Sequence, residues 1–207
     1  MKQEEELLDA LAEKLQSQPG KRLLVIISGP SCSGKTFLTE WLRTQLPENF
    51  CAIVPLDAYF KDKDDSTLPR EGTSRSFDQL ASFNGDMFRL DIKQLIAGKA
   101  IHLPCYDLST NTCLVGKGAE IQPNGIVIAE GIYASHFLRG IPAYRIYISI
   151  EYDVAVKRRI ERDTVRHNVT ADAVIRMFNK KVWPLTERVA QQASEADLII
   201  ENNIKEN

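Results

Sequence analysis

Eight consecutive residues, Gly29-Pro30-Ser31-Cys32-Ser33-Gly34-Lys35-Thr36, have the types and spacing of a phosphate cradle: Gly, four residues, then Gly-Lys-Thr. A triphosphate needs several hydrogen-bond donors pointing inward at once. Glycines let the backbone curl until consecutive N–H groups face one concavity. A helix that starts at the loop adds its unpaired N–H groups and the positive end of its dipole. In this pattern Lys35 supplies a mobile charge for the β- and γ-phosphates, and Thr36 offers a hydroxyl to Mg²⁺. The alternative is a chance match in a turn between a strand and a helix.

Two carboxylates and a set of arginines extend the chemistry. Asp57 follows an apolar run in Leu56-Asp57-Ala58-Tyr59-Phe60, and Glu130 follows another, Ile126-Val127-Ile128-Ala129. Beside Thr36 they are candidate Mg²⁺ partners, directly or through water, because that ion takes oxygen ligands and keeps several waters. Asp57 is also the candidate general base, able to accept a proton from a hydroxyl that attacks a γ-phosphate. Its bland alternative is a surface aspartate capping a turn. Arg159, Arg162 and Arg166 are spaced i, i+3, i+7, which puts three guanidiniums on one helix face. Such a face can spread charge over a transferring phosphoryl group and close as a lid. Otherwise it is a solvated stripe paired with Glu161 and Asp163.

The elements that must position these groups are legible in outline. Residues 4–17 carry Leu7, Leu8, Leu11 and Leu15 on one stripe and predict an amphipathic helix, ended by Gln18-Pro19-Gly20. Apolar β-branched runs predict buried strands over 22–28, 51–56, 126–129, 144–150 and 197–200. Helices are predicted over 35–46, 85–97, 153–167, 171–182 and 185–194, and an extended hairpin over 100–122 around Ser109-Thr110-Asn111. Residues 61–76 predict a long surface loop. Five strands alternating with helices define an α/β fold with a parallel sheet. Ligands of such sheets collect at the carboxyl ends of the strands, which selects the glycine loop, Asp57 and Glu130.

The 207-residue length favours one domain, spanning 1–207, with a full core. The near-neutral balance, formally -2, supplies no field for nucleic acid or membrane surfaces. No apolar run approaches membrane-spanning length, and the acidic start, Met1-Lys2-Gln3-Glu4-Glu5-Glu6, has no signal core. Cys32, Cys51, Cys105 and Cys113 form neither a C-x-x-C pair nor a zinc pattern, so they read as reduced thiols of a cytoplasmic protein. His102, His136 and His167 show no ligand spacing. Trp41 and Trp183 read as packing residues. Self-association into a homo-oligomer is left open.

The motifs GPSCSGKT, LDAYF, SFDQLASF, AGKAIHLPCYDLSTNT, IVIAEGIYA, VKRRIERD and EADLII, in this order and spacing over about residues 21–201, resemble the uridine kinase family and its phosphoribulokinase relatives. The resemblance implies a P-loop NTPase-type three-layer fold with a central five-stranded parallel sheet. It further implies a β-hairpin insert at 100–122 and a helical lid at 153–170, to which residues 1–20 add an N-terminal helical extension read from their apolar stripe. ATP would lie along Gly29 to Thr36. Asp57 matches the family's base, and Glu130 its second carboxylate near Mg²⁺. Phe77-Asp78 matches the pair beside the nucleoside, and Tyr106 an aromatic at the base pocket. Tyr59 falls on the substrate side of the LDAYF motif. Arg159 and Arg162 match lid arginines near the phosphates and the acceptor.

The departures lie on the acceptor side. Where the family carries R-G-R after its R-D, this chain reads Arg166-His167-Asn168-Val169. Asn111 replaces a base-reading histidine, Leu108 an aromatic, and Met177 a glutamine. The phosphate-side set is intact. The resemblance therefore implies phosphoryl transfer from ATP to a hydroxyl of a small molecule, a nucleoside 5′-OH or a different metabolite alcohol such as a sugar, glycerate or a pantothenate-like compound. The chain lacks the N-K-x-D guanine pattern, which disfavours a GTPase switch. A regulator that only binds nucleotide is the remaining rival.

Overall fold

A computed structural model describes residues 2–17, 21–47, 50–71, 74–75, 78–107 and 110–203. The chain begins with helix α1 (Lys2–Ser17), strand β1 (Leu23–Ser28), helix α2 (Lys35–Gln45) and strand β2 (Cys51–Pro55). Two short strands, β3 (Arg70–Glu71) and β4 (Ser74–Arg75), lead to helix α3 (Gly85–Ile96). The segment β5 (Ile101–His102), β6 (Cys105–Asp107), β7 (Thr112–Leu114) and β8 (Glu120–Ile121) precedes β9 (Ile126–Glu130). Helix α4 (Ala134–Phe137), strand β10 (Tyr144–Ser149), helices α5 (Tyr152–His167), α6 (Ala171–Met177) and α7 (Thr186–Ala190), and strand β11 (Leu198–Glu201) complete it.

The five long strands form one parallel sheet in the order β11-β10-β1-β9-β2. Every residue of β1 is buried, as an apolar run without alternation requires of a central strand covered on both faces. Leu24 and Ile26 face one core with Val54, Leu56, Val127, Phe88 and Ile92. Leu23, Val25 and Ile27 face the other with Ile128, Ile146 and Leu42, and with Leu7 and Leu11 of α1. The α1 stripe is thus a lid on the second core. Three layers, helix, sheet and helix, result.

Four expected elements differ in detail. The segment expected as a loop over 61–76 carries the antiparallel β3–β4 pair. The helix expected over 185–194 is α-helical only over Thr186–Ala190, before a 3₁₀ turn, Gln191–Glu195. The 100–122 segment is not one simple hairpin: β5 pairs with β8, and β6 with β7. Asn111 takes φ 53 in the turn of the inner ladder, a left-handed conformation that asparagine tolerates. The helix expected over 171–182 is α-helical only to Met177, then widens into a π turn, Phe178–Val182, and a 3₁₀ turn, Trp183–Leu185. Pro184 lacks the N–H that would continue the ladder.

Register delivers the rim. β1 is central, so its loop leaves from the middle of the carboxyl edge. Glu130 ends the neighbouring β9, aligned with Ile27 on one side and Pro55 on the other. Asp57 follows β2, the next strand out, in a 3₁₀ turn over Leu56–Tyr59. Three consecutive strands therefore present the glycine loop, Glu130 and Asp57 within two interstrand spacings of one another, about 10 Å.

Candidate active site

The glycine loop owes its shape to close contacts that admit no side chain. Gly29 takes φ 152, and a Cβ there would stand 2.3 Å from the Ile148 carbonyl oxygen. Gly34 takes φ 97 and caps α2 without any side-chain hydrogen bond, and no acidic residue occupies the first turn. The leading N–H groups of α2 therefore have neither an intrahelical partner nor a competing carboxylate, which is what an anion site requires. Cys32, at φ 65, carries the curl between the glycines.

Lys35 is buried and donates to its own loop, to the Gly29 oxygen at 3.0 Å and the Pro30 oxygen at 2.8 Å. Burial pushes its ammonium below the ordinary lysine value, against the opposing pull of Glu130 and Asp57. Burial likewise pushes Asp57 up from the usual carboxylate range, while Lys35, Arg162 and Arg166 pull it down. Glu130 is also raised by burial, with Lys35 pulling it down, Asp57 adding repulsion and the Thr36 hydroxyl favouring its ionised form. Thr36 Oγ1 lies 3.5 Å from Glu130 Oε1.

These groups line one cavity of about 710 Å³, with Ser31, Cys32, Gly34, Arg158, Arg162, Arg166 and Asn202. The volume falls in the range of small-molecule sites. Among the described residues no cluster of three or more His, Cys, Asp or Glu side chains could cage a metal. The hard oxygen set of Thr36, Glu130 and Asp57 fits Mg²⁺ all the same, since that ion is commonly held by one or two carboxylates plus substrate phosphates.

The arginines of α5 are organised by a buried acid. Asp163, 6% exposed, accepts from Arg159 Nε at 2.5 Å and Arg162 Nε at 2.7 Å. Its own burial is outweighed by these partners, and its carboxyl is held below the usual range. Arg159 reaches back to the loop, donating to Ser31 Oγ at 2.9 Å. Arg162 and Arg166 both face the cavity.

A second, smaller cavity of about 20 Å³ abuts the first across Ser31 and Ile132. Asp78 lines it with Tyr133, Phe178 and Trp183. Burial raises the Asp78 carboxyl, and Arg159 opposes the shift. A space of this size holds a water and no metabolite, so an acceptor entering here would have to displace the α6–α7 segment.

Other expected site residues fare differently. Tyr59 is corrected outright: it is 0% exposed, its ring packs edge-on to Phe88, and its hydroxyl donates to Asp91 at 2.8 Å. In a 3₁₀ turn residues i and i+3 eclipse, so Tyr59 follows Leu56 into the core while Asp57 faces the rim. Phe77 lies outside the described residues. Tyr106 lines neither cavity; its ring sits 5.4 Å from that of Phe60, and its buried hydroxyl has no hydrogen-bond partner among the described residues. Burial pushes that phenol up to about 12, with Asp62 and Cys113 adding to the shift. Met177 is 55% exposed, so the pocket wall is made by Phe178 and Val182 instead. Trp183 packs as expected, against Tyr152 and Phe178, and also borders the Asp78 cavity.

Sequence reasoning missed Asn202, Arg158 and Phe37. Asn202 donates to the Ser33 oxygen at 2.8 Å and accepts from Arg158 at 3.2 Å, while Arg158 also donates to the Cys32 oxygen at 3.3 Å. Asn202 directly follows β11, so the strand-end rule that selected Glu130 could have selected it.

The fold and the loop define the class: this is a P-loop kinase. The profile of the Phosphoribulokinase / Uridine kinase family matches residues 24–206, and the chain belongs to that family. A uridine kinase of Staphylococcus epidermidis (strain RP62A) is 30% identical over 180 residues, covering 86% of each chain. In three dimensions the chain resembles a candidate fructose transport system kinase from Silicibacter sp. TM1040, at TM-score 0.69 and 23% identity over 93% of this chain and 96% of that one. It also resembles a D-glycerate 3-kinase from Cryptococcus neoformans var. grubii, at TM-score 0.56 and 14% identity over 84% and 83%. At these identities the two structures speak for the fold alone.

Proposed function

We propose that the chain transfers the γ-phosphate of ATP, with Mg²⁺, to a hydroxyl of a small molecule, and that a nucleoside 5′-OH of the uridine or cytidine kind is the first candidate. The carrying observation is the convergence of Lys35, Thr36, Asp57 and Glu130 on one cavity that abuts the Asp78 pocket. The loop N–H groups bind the phosphates. Lys35 exchanges its two loop carbonyls for the β- and γ-oxygens. Thr36, Glu130 and Asp57 would hold the cation, which neutralises charge on the phosphates when bound. Asp57 takes the proton of the acceptor hydroxyl as its oxygen bonds to the γ-phosphorus. The bond from that phosphorus to the bridging oxygen breaks, and ADP leaves. Arg162, fixed by Asp163, lines the cavity and would face the charge that spreads over the phosphoryl oxygens, with Arg159 beside it, tied to the loop at Ser31. Four free cysteines and ATP as donor accord with a cytosolic setting.

A second reading, another alcohol as acceptor, is favoured by one feature. Met177 stands exposed where the resemblance implies a glutamine on the acceptor side. A panel of uridine, cytidine, fructose, glycerate and pantothenate, read as acceptor-dependent ADP release, decides between them. Asp57→Asn should lower turnover about 10²–10⁴-fold with the best acceptor, with ATP affinity within about threefold of the unaltered protein. Wild-type turnover in that variant removes Asp57 as the base. ADP release that no acceptor stimulates leaves a nucleotide-binding regulator.

A further inference from the structure

Gln192 is a polar side chain sealed in the core, 4% exposed. It stands in the 3₁₀ turn Gln191–Glu195 that follows α7, and its amide works in two directions. Nε2 donates to the Ile132 oxygen at 2.7 Å and to the Val189 oxygen at 3.2 Å. Oε1 accepts from the His136 N–H at 3.1 Å. Ile132 and His136 stand at i and i+4, the pair that an α-helix joins directly, carbonyl to N–H. The Gln192 amide takes the place of that bond. A side chain inserted in this way interrupts the helical ladder, and α4 accordingly starts at Ala134. Ile132 stays outside the helix and lines both the donor cavity and the Asp78 pocket.

The two ends of this turn are fastened to β1. The Gly131 N–H donates to the Ile27 oxygen at 3.1 Å, and the Ser135 and Ser28 hydroxyls are 3.1 Å apart. Its crest, Ile132, is held by Gln192 from 60 positions further along the chain. The next residue reaches the acceptor side, where the Tyr133 hydroxyl donates to the Asp78 oxygen at 3.2 Å. Val189, whose carbonyl the same amide holds, lines the Asp78 pocket as well. One buried amide thus ties α7 to the turn after β9. Without it the Ile132 carbonyl and the His136 N–H lose their partner, and backbone groups away from water do not stay unpaired. The direct repair is a bond between the two, which winds Ile132 into α4 and moves the wall.

We infer that Gln192 is a positioning residue for the acceptor: its amide, inserted between Ile132 and His136, sets the wall shared by the donor cavity and the Asp78 pocket. This rests on the phosphotransfer reading proposed above. The test compares the unaltered protein with Gln192→Met, since methionine is unbranched like glutamine and lacks its amide. Two quantities are read at a temperature where circular dichroism shows both proteins folded. One is ATP affinity at fixed Mg²⁺, by calorimetry. The other is steady-state ADP release with uridine, cytidine, fructose, glycerate and pantothenate in turn. For each alcohol that the unaltered protein phosphorylates, Gln192→Met should lower kcat/KM by about tenfold to a hundredfold, while ATP affinity stays within about threefold. A glutamine with a structural role alone would lower the melting temperature and leave both quantities in place. An unmoved kcat/KM in folded Gln192→Met overturns the inference, and so does a loss of ATP affinity equal to the loss for the alcohol. If Gln192→Met does not fold, Gln192→Asn, whose amide falls one methylene short of the turn, is held to the same outcomes. An unaltered protein that binds ATP but phosphorylates none of the five alcohols removes the phosphotransfer reading and this role together. One that phosphorylates an alcohol equally well with and without Gln192 removes this role alone.

Discussion

Replacing Asp163 by asparagine tests whether the lid arginines are held in place by one buried charge. The carboxylate receives Arg159 Nε at 2.5 Å and Arg162 Nε at 2.7 Å, with side chains 9% exposed for Asp163, 16% for Arg159 and 37% for Arg162. Removing one partner of a fully buried pair costs about 3–5 kcal/mol. Arg162 is open to solvent by more than a third, so its share is screened toward the 0–1 kcal/mol of a surface pair. Asparagine also keeps one acceptor oxygen for one of the two donors. The net expectation is about 2–3 kcal/mol of lost stability, or a melting temperature lower by about 4–12 °C in a chain of this size. The sign of the pH dependence follows from the depressed folded-state pKa. Stability from such a group is full above its unfolded value, about 4, and disappears as pH falls through the lower folded value. Urea unfolding at pH 7 should therefore show the full gap between the two proteins, and the gap should close below about pH 4. Turnover should fall about tenfold to a hundredfold as the guanidiniums lose their fixed positions. A gap under about 0.5 kcal/mol at pH 7, or one that persists unchanged at pH 3, refutes the reasoning.

Three other outcomes follow from named contacts. Tyr59→Phe should cost about 1.5–3 kcal/mol by stranding Asp91 and leave the KM of donor and acceptor unchanged; a raised acceptor KM with stability intact would return Tyr59 to the substrate side. Thr36→Val should raise the Mg²⁺ concentration for half-maximal ATP binding by about tenfold, measured by titration at fixed nucleotide, and equal Mg²⁺ dependence would remove Thr36 from the ion. Leu11→Ala, which empties a fully buried position beneath α1, should destabilise the protein by about 2–4 kcal/mol in urea; a loss under about 0.5 kcal/mol would mean that α1 does not contribute to the second core.

What the sequence determined by itself is local. The eight-residue loop encodes its own function because glycines, a lysine and a threonine act through backbone curvature and short reach. The five strands announce themselves as apolar runs, since both faces of a parallel sheet are covered. The order of strands around β1 is a tertiary fact, and it alone puts Glu130 next to the loop and Asp57 one strand further. Asn202 bonds to Ser33 across 169 positions of chain, a contact that no spacing rule can foresee. Asp163 looked like a partner in a solvated stripe, and burial made it the organiser of that stripe. Tyr59 looked like a neighbour of Asp57 in function, but a 3₁₀ turn rotated the two onto opposite sides. Residue type and near-neighbour geometry can be read from a string; which side of an element meets water depends on everything packed against it.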